Sequence, residues 1–140
     1  MLEEDEWGLL PPKRDHLFTQ NVGGILLVTL LEPQILDGAH AERVAGALDS
    51  LIENKFKMRI LLDLTRVQKI GSAAVGKIVA FRKRVATQDG VVKVTGLKGV
   101  VRQIFDANPL TKGFEVYDDQ VRAINSFRAK AKGRGFRKGP

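Results

Sequence analysis

Short apolar runs alternate with amphipathic stretches along this chain, and this alternation constrains the fold more than any other feature of the sequence. The run Met58–Leu64 is the clearest case, because it is almost continuously apolar and too short for an ordinary helix. Such runs are typical of strands buried on both faces, as parallel strands usually are. Parallel neighbours need a crossover connection, which is usually a helix. The alternation therefore predicts an α/β domain.

The order of the predicted elements is β-β-α-β-α-β-α-β-α. The two opening strands flank Asn21–Gly24, whose Asn and Gly residues tolerate the positive φ of a tight turn. We expect a single domain with one mixed central sheet and helices mainly on one side. The helices are predicted after Asp37 and ending near Asn54, from about Ser72, over 97–105, and from Asp118 or Asp119 to about Lys130. The residues predicted to point inward from the second and third helices are Val75, Ile78, Val79, Val85, Ala86, Val100, Val101, Ile104 and Phe105.

The formal charge of +7 is concentrated at one end of the chain. Six basic and no acidic residues occur from Arg128 onward, so without them the charge is 7 − 6, or +1. We expect residues 1–15 to be a flexible acidic and proline-containing segment, 16–130 to be the domain, and 131–140 to be a basic, glycine-rich tail that does not fold by itself.

The sequence also predicts the compartment. There is no cysteine, the first residues are acidic rather than those of a secretory signal, and no apolar stretch reaches the roughly 20 residues of a membrane span. We therefore expect a cytoplasmic protein that does not engage a membrane.

A phosphate-binding loop is one interpretation of the segment that follows the central apolar run. Gly71–Lys77 matches the G-x-x-x-x-G-K part of that motif. The next residue is Ile78, which cannot hold the Mg²⁺ that the motif's Ser or Thr binds. In addition, six residues separate Leu64 from Gly71, whereas a phosphate-binding loop leaves its strand directly. Nucleotide hydrolysis is therefore disfavoured.

A second motif fits the same segment. Leu61–Thr65 resembles a buried strand ending in Asp-Leu-Ser/Thr, Val67–Ile70 resembles a short loop, and Gly71–Gly76 resembles Asp-Ser-Ser-Gly-Leu-Gly at a helix start. On these residues the chain resembles a STAS domain of the anti-sigma-factor-antagonist family, and the resemblance extends from about Phe18 to Phe127. It implies a protein that binds partners and is not an enzyme.

In that family the first serine of the helix-start motif is phosphorylated by a partner kinase of ATPase fold, which is itself the anti-sigma factor. By position this serine resembles Ser72. Thr65 is a weaker phosphoacceptor candidate, and Asp63 is interpreted as an acceptor for loop amides. The partner-binding residues implied by the resemblance are Asp37, Asp63, Thr65, Lys69, Gly71, Ser72, Ala73, Val75 and Gly76.

Several alternatives stay open on the sequence alone. Ser72 could serve only as a helix N-cap. Gly71, Ala73 and Ala74 depart from the family motif, which favours a STAS scaffold without a phosphorylation switch, and other STAS proteins are further candidate partners. The basic tail suggests weak nucleic-acid binding.

We expect no cofactor, metal or catalytic triad. His16 and His40 lie far apart in the sequence, and no nucleophile-elbow motif surrounds Ser72.

Overall fold

A computed structural model describes residues 16–36 and 38–133, with side chains described as far as residue 128. The predicted segment 1–15, Asp37 and residues 134–140 of the predicted tail lie outside the described residues.

The described residues form a five-stranded sheet, a two-stranded ladder and four α-helices, in the predicted order apart from two extra short strands. The strands are β1 (Leu17–Val22), β2 (Ile25–Leu30), β3 (Gln34–Ile35), β4 (Arg59–Asp63), β5 (Lys69–Ile70), β6 (Val91–Thr95) and β7 (Glu115–Tyr117). The helices are α1 (Gly38–Ile52), α2 (Ser72–Thr87), α3 (Gly99–Ala107) and α4 (Gln120–Gly133), with a 3₁₀ helix over Pro109–Gly113.

The main sheet is mixed, as predicted. Its strand order is β1-β2-β4-β6-β7. Strand β1 pairs antiparallel with β2, and the other neighbours are parallel. The predicted hairpin turn is present, because Gly23 and Gly24 adopt φ of 60° and 87° and the Gly24 amide donates to the Asn21 side chain over 3.1 Å.

Helices α1, α2 and α3 cover one face of the sheet, and α4 covers the other. The larger core joins the three helices to alternate strand residues such as Val28, Leu62 and Val94. The smaller core joins α4, through Ala123 and Phe127, to the opposite side of the strands. The prediction of helices mainly on one side is therefore confirmed.

Two predicted inward residues point elsewhere. Ala86 and Val100 are exposed, whereas their neighbours Val85 and Val101 are buried. Successive residues of an α-helix are about 100° apart around its axis, so a neighbour of a core residue can lie outside the contact face. The prediction also omitted Phe81, which is fully buried in α2.

A buried lysine lies between the sheet and α4. Lys93 on β6 is 0% exposed, and its Nζ donates to Ser126 Oγ over 2.8 Å and lies 3.1 Å from Glu115 Oε1. The same Nζ lies 4.5 Å from the ring centroid of Phe127. A buried ammonium requires such partners because burial removes its hydration. Lys93 therefore ties α4 to the sheet by polar as well as apolar contacts.

Candidate functional site

The connections that follow β2, β4 and β6 lie at one end of the sheet, where the carboxyl ends of these parallel strands meet. In open α/β sheets this end commonly carries the binding site. Two connections are joined by the β3–β5 ladder. Beside it, the Gln68 and Lys69 amides donate to the Pro33 carbonyl over 2.7 and 3.1 Å, and the Gly71 amide donates to Ile35 over 2.9 Å. The backbone here is therefore fixed.

Gly71 lies directly against the backbone of Leu36. A Cβ atom at position 71 would overlap the Leu36 carbonyl oxygen and would lie 2.8 Å from the carbonyl carbon. The φ of Gly71 is −99° and its ψ is 163°, which any residue adopts. Glycine is therefore required here by space and not by backbone conformation.

Ser72 is the first residue of α2, and Gly71 is the N-cap, without a side chain to cap the helix. The alternative interpretation of Ser72 as the N-cap is therefore wrong, because the extended backbone that defines an N-cap belongs to Gly71. Ser72 and Ala73 are exposed. Within the described part of the chain, the Ser72 hydroxyl makes no hydrogen bond that would hold it away from solvent.

Asp63 ends β4 and is only 4% exposed. Its Oδ1 accepts from the Thr65 amide over 2.8 Å and from the Thr65 hydroxyl, and its Oδ2 accepts from Gln120 Nε2 over 2.5 Å. The interpretation of Asp63 as an acceptor for a loop amide is confirmed. Its carboxylate also connects the loop after β4 to the first turn of α4.

The remaining predicted partner-binding residues occupy different environments. Lys69 and Thr65 are exposed, and Gly71 and Gly76 are half-buried. Val75 is fully buried in the larger core. Val75 and Asp63 therefore support the surface from beneath, whereas Thr65, Lys69, Ser72 and Ala73 lie on it. Asp37 is outside the described residues.

Four exposed residues at this end were not predicted as site residues from the sequence. Leu36 and Val100 are 42% and 48% exposed. Arg66 and Lys98 are exposed as well. Arg66 and Lys98 could have been found from their positions in the sequence, since each follows a predicted buried strand within a few residues.

Lys77, the lysine of the disfavoured phosphate-binding motif, projects toward α1. Its Nζ lies 2.8 Å from Glu42 Oε2. The segment from Ser72 is already helical and is preceded by β5, so it does not form a loop leaving the central strand β4. The geometry thus agrees with the argument against nucleotide hydrolysis.

His16 and His40, distant in the sequence, converge on one carboxylate. Glu32 Oε2 lies 2.6 Å from His16 Nδ1, and Glu32 Oε1 lies 3.7 Å from His40 Nε2. Among the residues whose positions are described, no three His, Cys, Asp or Glu side chains are arranged to hold a metal ion. The three groups instead connect the start of β1, the end of β2 and the first turn of α1.

Comparison with known proteins identifies the family. The family model of the STAS domain matches residues 17–123. The chain is 25% identical over 112 residues to the protein named "Putative anti-sigma factor antagonist BtrV" of Bordetella bronchiseptica, covering 80% of this chain and 94% of the relative. The chain belongs to the STAS domain family.

Solved structures of the same fold agree with this assignment. A STAS domain protein of Planctomyces limnophilus, described as an anti-sigma-factor antagonist, matches with a TM-score of 0.69 at 14% identity, over 79% of this chain and 95% of the other. The anti-sigma factor antagonist SpoIIAA in its unphosphorylated form matches with a TM-score of 0.58 at 16% identity, over 80% and 97%. No helix in the described ranges is long and apolar enough to cross a membrane.

Proposed function

We propose that this protein is an anti-sigma factor antagonist, which controls transcription indirectly by binding an anti-sigma factor in the cytoplasm. The family match and the antagonists among the similar proteins support this proposal. The observation that carries it is the position of Ser72, exposed at the first residue of α2, on the end of the sheet where three connections meet. On this proposal the protein acts by binding and not by catalysis.

The proposed partner is an anti-sigma factor of ATPase fold with serine kinase activity. The Ser72 oxygen would form a bond to the γ-phosphorus of the partner's ATP, the bond to the bridging oxygen would break, and ADP would leave. The hydroxyl proton would pass to a base of the kinase. The exposed hydroxyl on a fixed backbone is suited to such a transfer.

Phosphate on Ser72 would be tolerated by the folded domain. The first N–H groups of α2 have no partner within the helix, and the positive end of the helix dipole favours a negative group there. The phosphate would also add about −1.5 to −2 charges to a surface that must lose water on binding. Phosphorylation would thus release the partner without unfolding the domain.

The test is a pull-down from the native cytoplasm, with mass spectrometry of the bound proteins and of residues 60–90 of the bait. Recovery of an ATPase-fold kinase, with phosphate on Ser72 in the unbound fraction, is the expected result. Ser72→Asp should weaken binding of that kinase, whereas Ser72→Ala should not.

A matched control is Ser50→Asp, which adds the same charge to an exposed serine near the far end of α1. This control should bind as the wild type does. If Ser72→Asp and Ser72→Ala both bind the kinase as the wild type does, Ser72 is not a switch.

A STAS scaffold without a switch is the second candidate. It is favoured by Gly71, because the close Leu36 carbonyl leaves no room for the Asp of the family motif. Unmodified Ser72 in protein from several growth conditions, bound to other signalling proteins or other STAS proteins, would support the scaffold. Nucleic-acid binding through the tail predicts that deletion of 131–140 abolishes RNA or DNA binding at low salt.

A further inference from the structure

Three exposed cations surround the candidate site. Arg66 follows β4, Lys69 lies on β5, and Lys98 precedes α3 after β6. Within the described residues none of the three forms an ion pair, whereas Lys77 and Arg84 on α2 lie 2.8 Å from Glu42 and Asp49. These three positive charges are therefore available to a binding partner.

Two exposed apolar side chains lie at the same end of the sheet. Leu36 is next to Gly71 through its backbone, and Val100 is in the first turn of α3, a helix that contacts β5. Their exposure contrasts with the buried neighbours Ile35 and Val101. We call this set the docking surface. It consists of Leu36, Arg66, Lys69, Ser72, Lys98 and Val100.

The described carboxylates at this end of the sheet already have partners. Asp63 is buried with both oxygens engaged. Of the other described carboxylates near this end, Asp118 lies 3.7 Å from Arg102 Nη1, and Asp119 Oδ1 accepts from the Arg122 amide at the start of α4. Glu32, which follows β2, lies 2.6 Å from His16 Nδ1. These carboxylates are thus engaged, whereas Arg66, Lys69 and Lys98 have no ion-pair partner within the described residues. The docking surface therefore combines unpaired positive charges with two exposed apolar side chains, those of Leu36 and Val100.

We propose that the partner of this chain presents carboxylates around an apolar patch, which contacts Arg66, Lys69 and Lys98 through the carboxylates and Leu36 and Val100 through the patch. This inference rests on the proposed function and specifies the chemistry of the partner. The same charges explain how phosphorylation of Ser72 would control binding although position 71 is a glycine and not the Asp of the family motif. Phosphate on Ser72 would offset most of the local positive charge and would repel the partner's carboxylates.

A protein partner fits the docking surface better than a nucleic acid does. Protein interfaces combine an apolar centre with a polar rim. Single-stranded nucleic acids are bound instead by aromatic side chains on which bases stack, and none of the six residues of the docking surface is aromatic. Leu36 and Val100 would contribute little to contacts with phosphates.

The experiment begins with nuclease-treated native cytoplasm and full-length wild-type protein as bait. The retained protein is identified, purified and titrated by calorimetry at low and high salt. The test variant is the double substitution Lys69→Glu with Lys98→Glu. The matched control is Lys55→Glu with Lys83→Glu, which reverses two exposed cations without ion pairs in the described structure, away from the docking surface. Thermal unfolding of each variant confirms that it is folded.

The expected result is that the test variant weakens binding at least about tenfold, the control stays near wild type, and high salt weakens wild-type binding. Equal affinities of test and control variants, or the absence of a salt effect, would overturn the inference. Capture from untreated cytoplasm that is lost entirely after nuclease treatment would overturn it in favour of a nucleic acid.

The outcomes separate this inference from the proposed function. An ATPase-fold kinase that binds test and control variants equally leaves the proposed function standing and removes the inference. If the retained protein is not an anti-sigma kinase but its binding requires Lys69 and Lys98, the inference stands and the proposed function is wrong. If the wild type retains no protein at physiological salt, from untreated or from nuclease-treated cytoplasm, both are wrong.

Discussion

Gly71 and the carbonyl of Leu36 are packed so closely that no side chain fits between them. The contact arises because the β3–β5 ladder holds the connection before α1 against the connection before α2. The position of Ser72 therefore depends on a backbone contact made by its neighbour.

Gly71→Ala should force these two connections apart. We expect a loss of about 1–3 kcal/mol in the free energy of unfolding, as for other overpacked sites, measured by urea denaturation. Gly46→Ala is the matched control, since nothing lies within 4 Å of a Cβ there and Gly46 is inside α1. The control should gain about 0.5–1 kcal/mol. A Gly71→Ala variant as stable as wild type would contradict the contact.

Asp63→Ala should loosen the connection after β4, because it leaves the Thr65 amide and the Gln120 side chain without their acceptor. We expect a loss of about 1–3 kcal/mol in stability and faster hydrogen exchange at the Thr65 amide. Asp63→Asn should lose less stability, since the side-chain oxygen of asparagine can still accept from the Thr65 amide. If the Thr65 amide exchanges at the wild-type rate in Asp63→Ala, Asp63 does not position the loop.

Substitutions at Lys93 should distinguish how much the volume of its side chain and how much its charge contribute to the free energy of unfolding. Lys93→Ala should lower the free energy of unfolding by about 2–5 kcal/mol, because it leaves a cavity between β6 and α4. Lys93→Met fills most of that cavity and should lose less. Guanidinium unfolding of both variants checks the order, and equal losses would mean that the volume of the buried stem is unimportant.

Ser72→Asp should leave the domain as stable as wild type or stabilise it. A carboxylate in the first turn of a helix interacts favourably with the helix dipole, typically by about 0.3–1 kcal/mol at low salt. Ser72→Lys should change the free energy of unfolding in the opposite direction, and high salt should reduce the effects of both substitutions. Thermal unfolding at two salt concentrations measures this. A large loss of stability in Ser72→Asp would mean that weaker partner binding reflects unfolding and not a change at the interface.

Local patterns predicted much of this structure. The hairpin turn, the start of α2 near Ser72 and the start of α4 after Asp118 or Asp119 all depend on residues within a few positions of each other, and all were predicted correctly. Of the two aspartates, it is Asp119 whose Oδ1 accepts from a backbone amide of the first turn of α4. The role of Asp63 as an acceptor for a loop amide also followed from its place at the end of a buried strand.

Long-range contacts explain what the sequence did not predict. The β3–β5 ladder has only two residues in each strand, too few for a periodic pattern. Position 71 requires glycine because of Leu36, which is 35 positions earlier. Likewise, His16 and His40 converge only because β1, β2 and α1 pack together. The spacing of residues along the sequence does not predict that packing.

The contacts of α4 with Lys93 and Asp63 form late when the chain is synthesised. Helix α4 follows every strand of the sheet in the chain. During synthesis the strands therefore leave the ribosome before the helix that covers Ile25, Leu27 and Leu61. Until that helix emerges, one side of the nascent sheet presents apolar side chains together with a lysine and an aspartate in water. The arrival of α4 then supplies the Ser126 hydroxyl that accepts from Lys93 and the Gln120 amide that donates to Asp63.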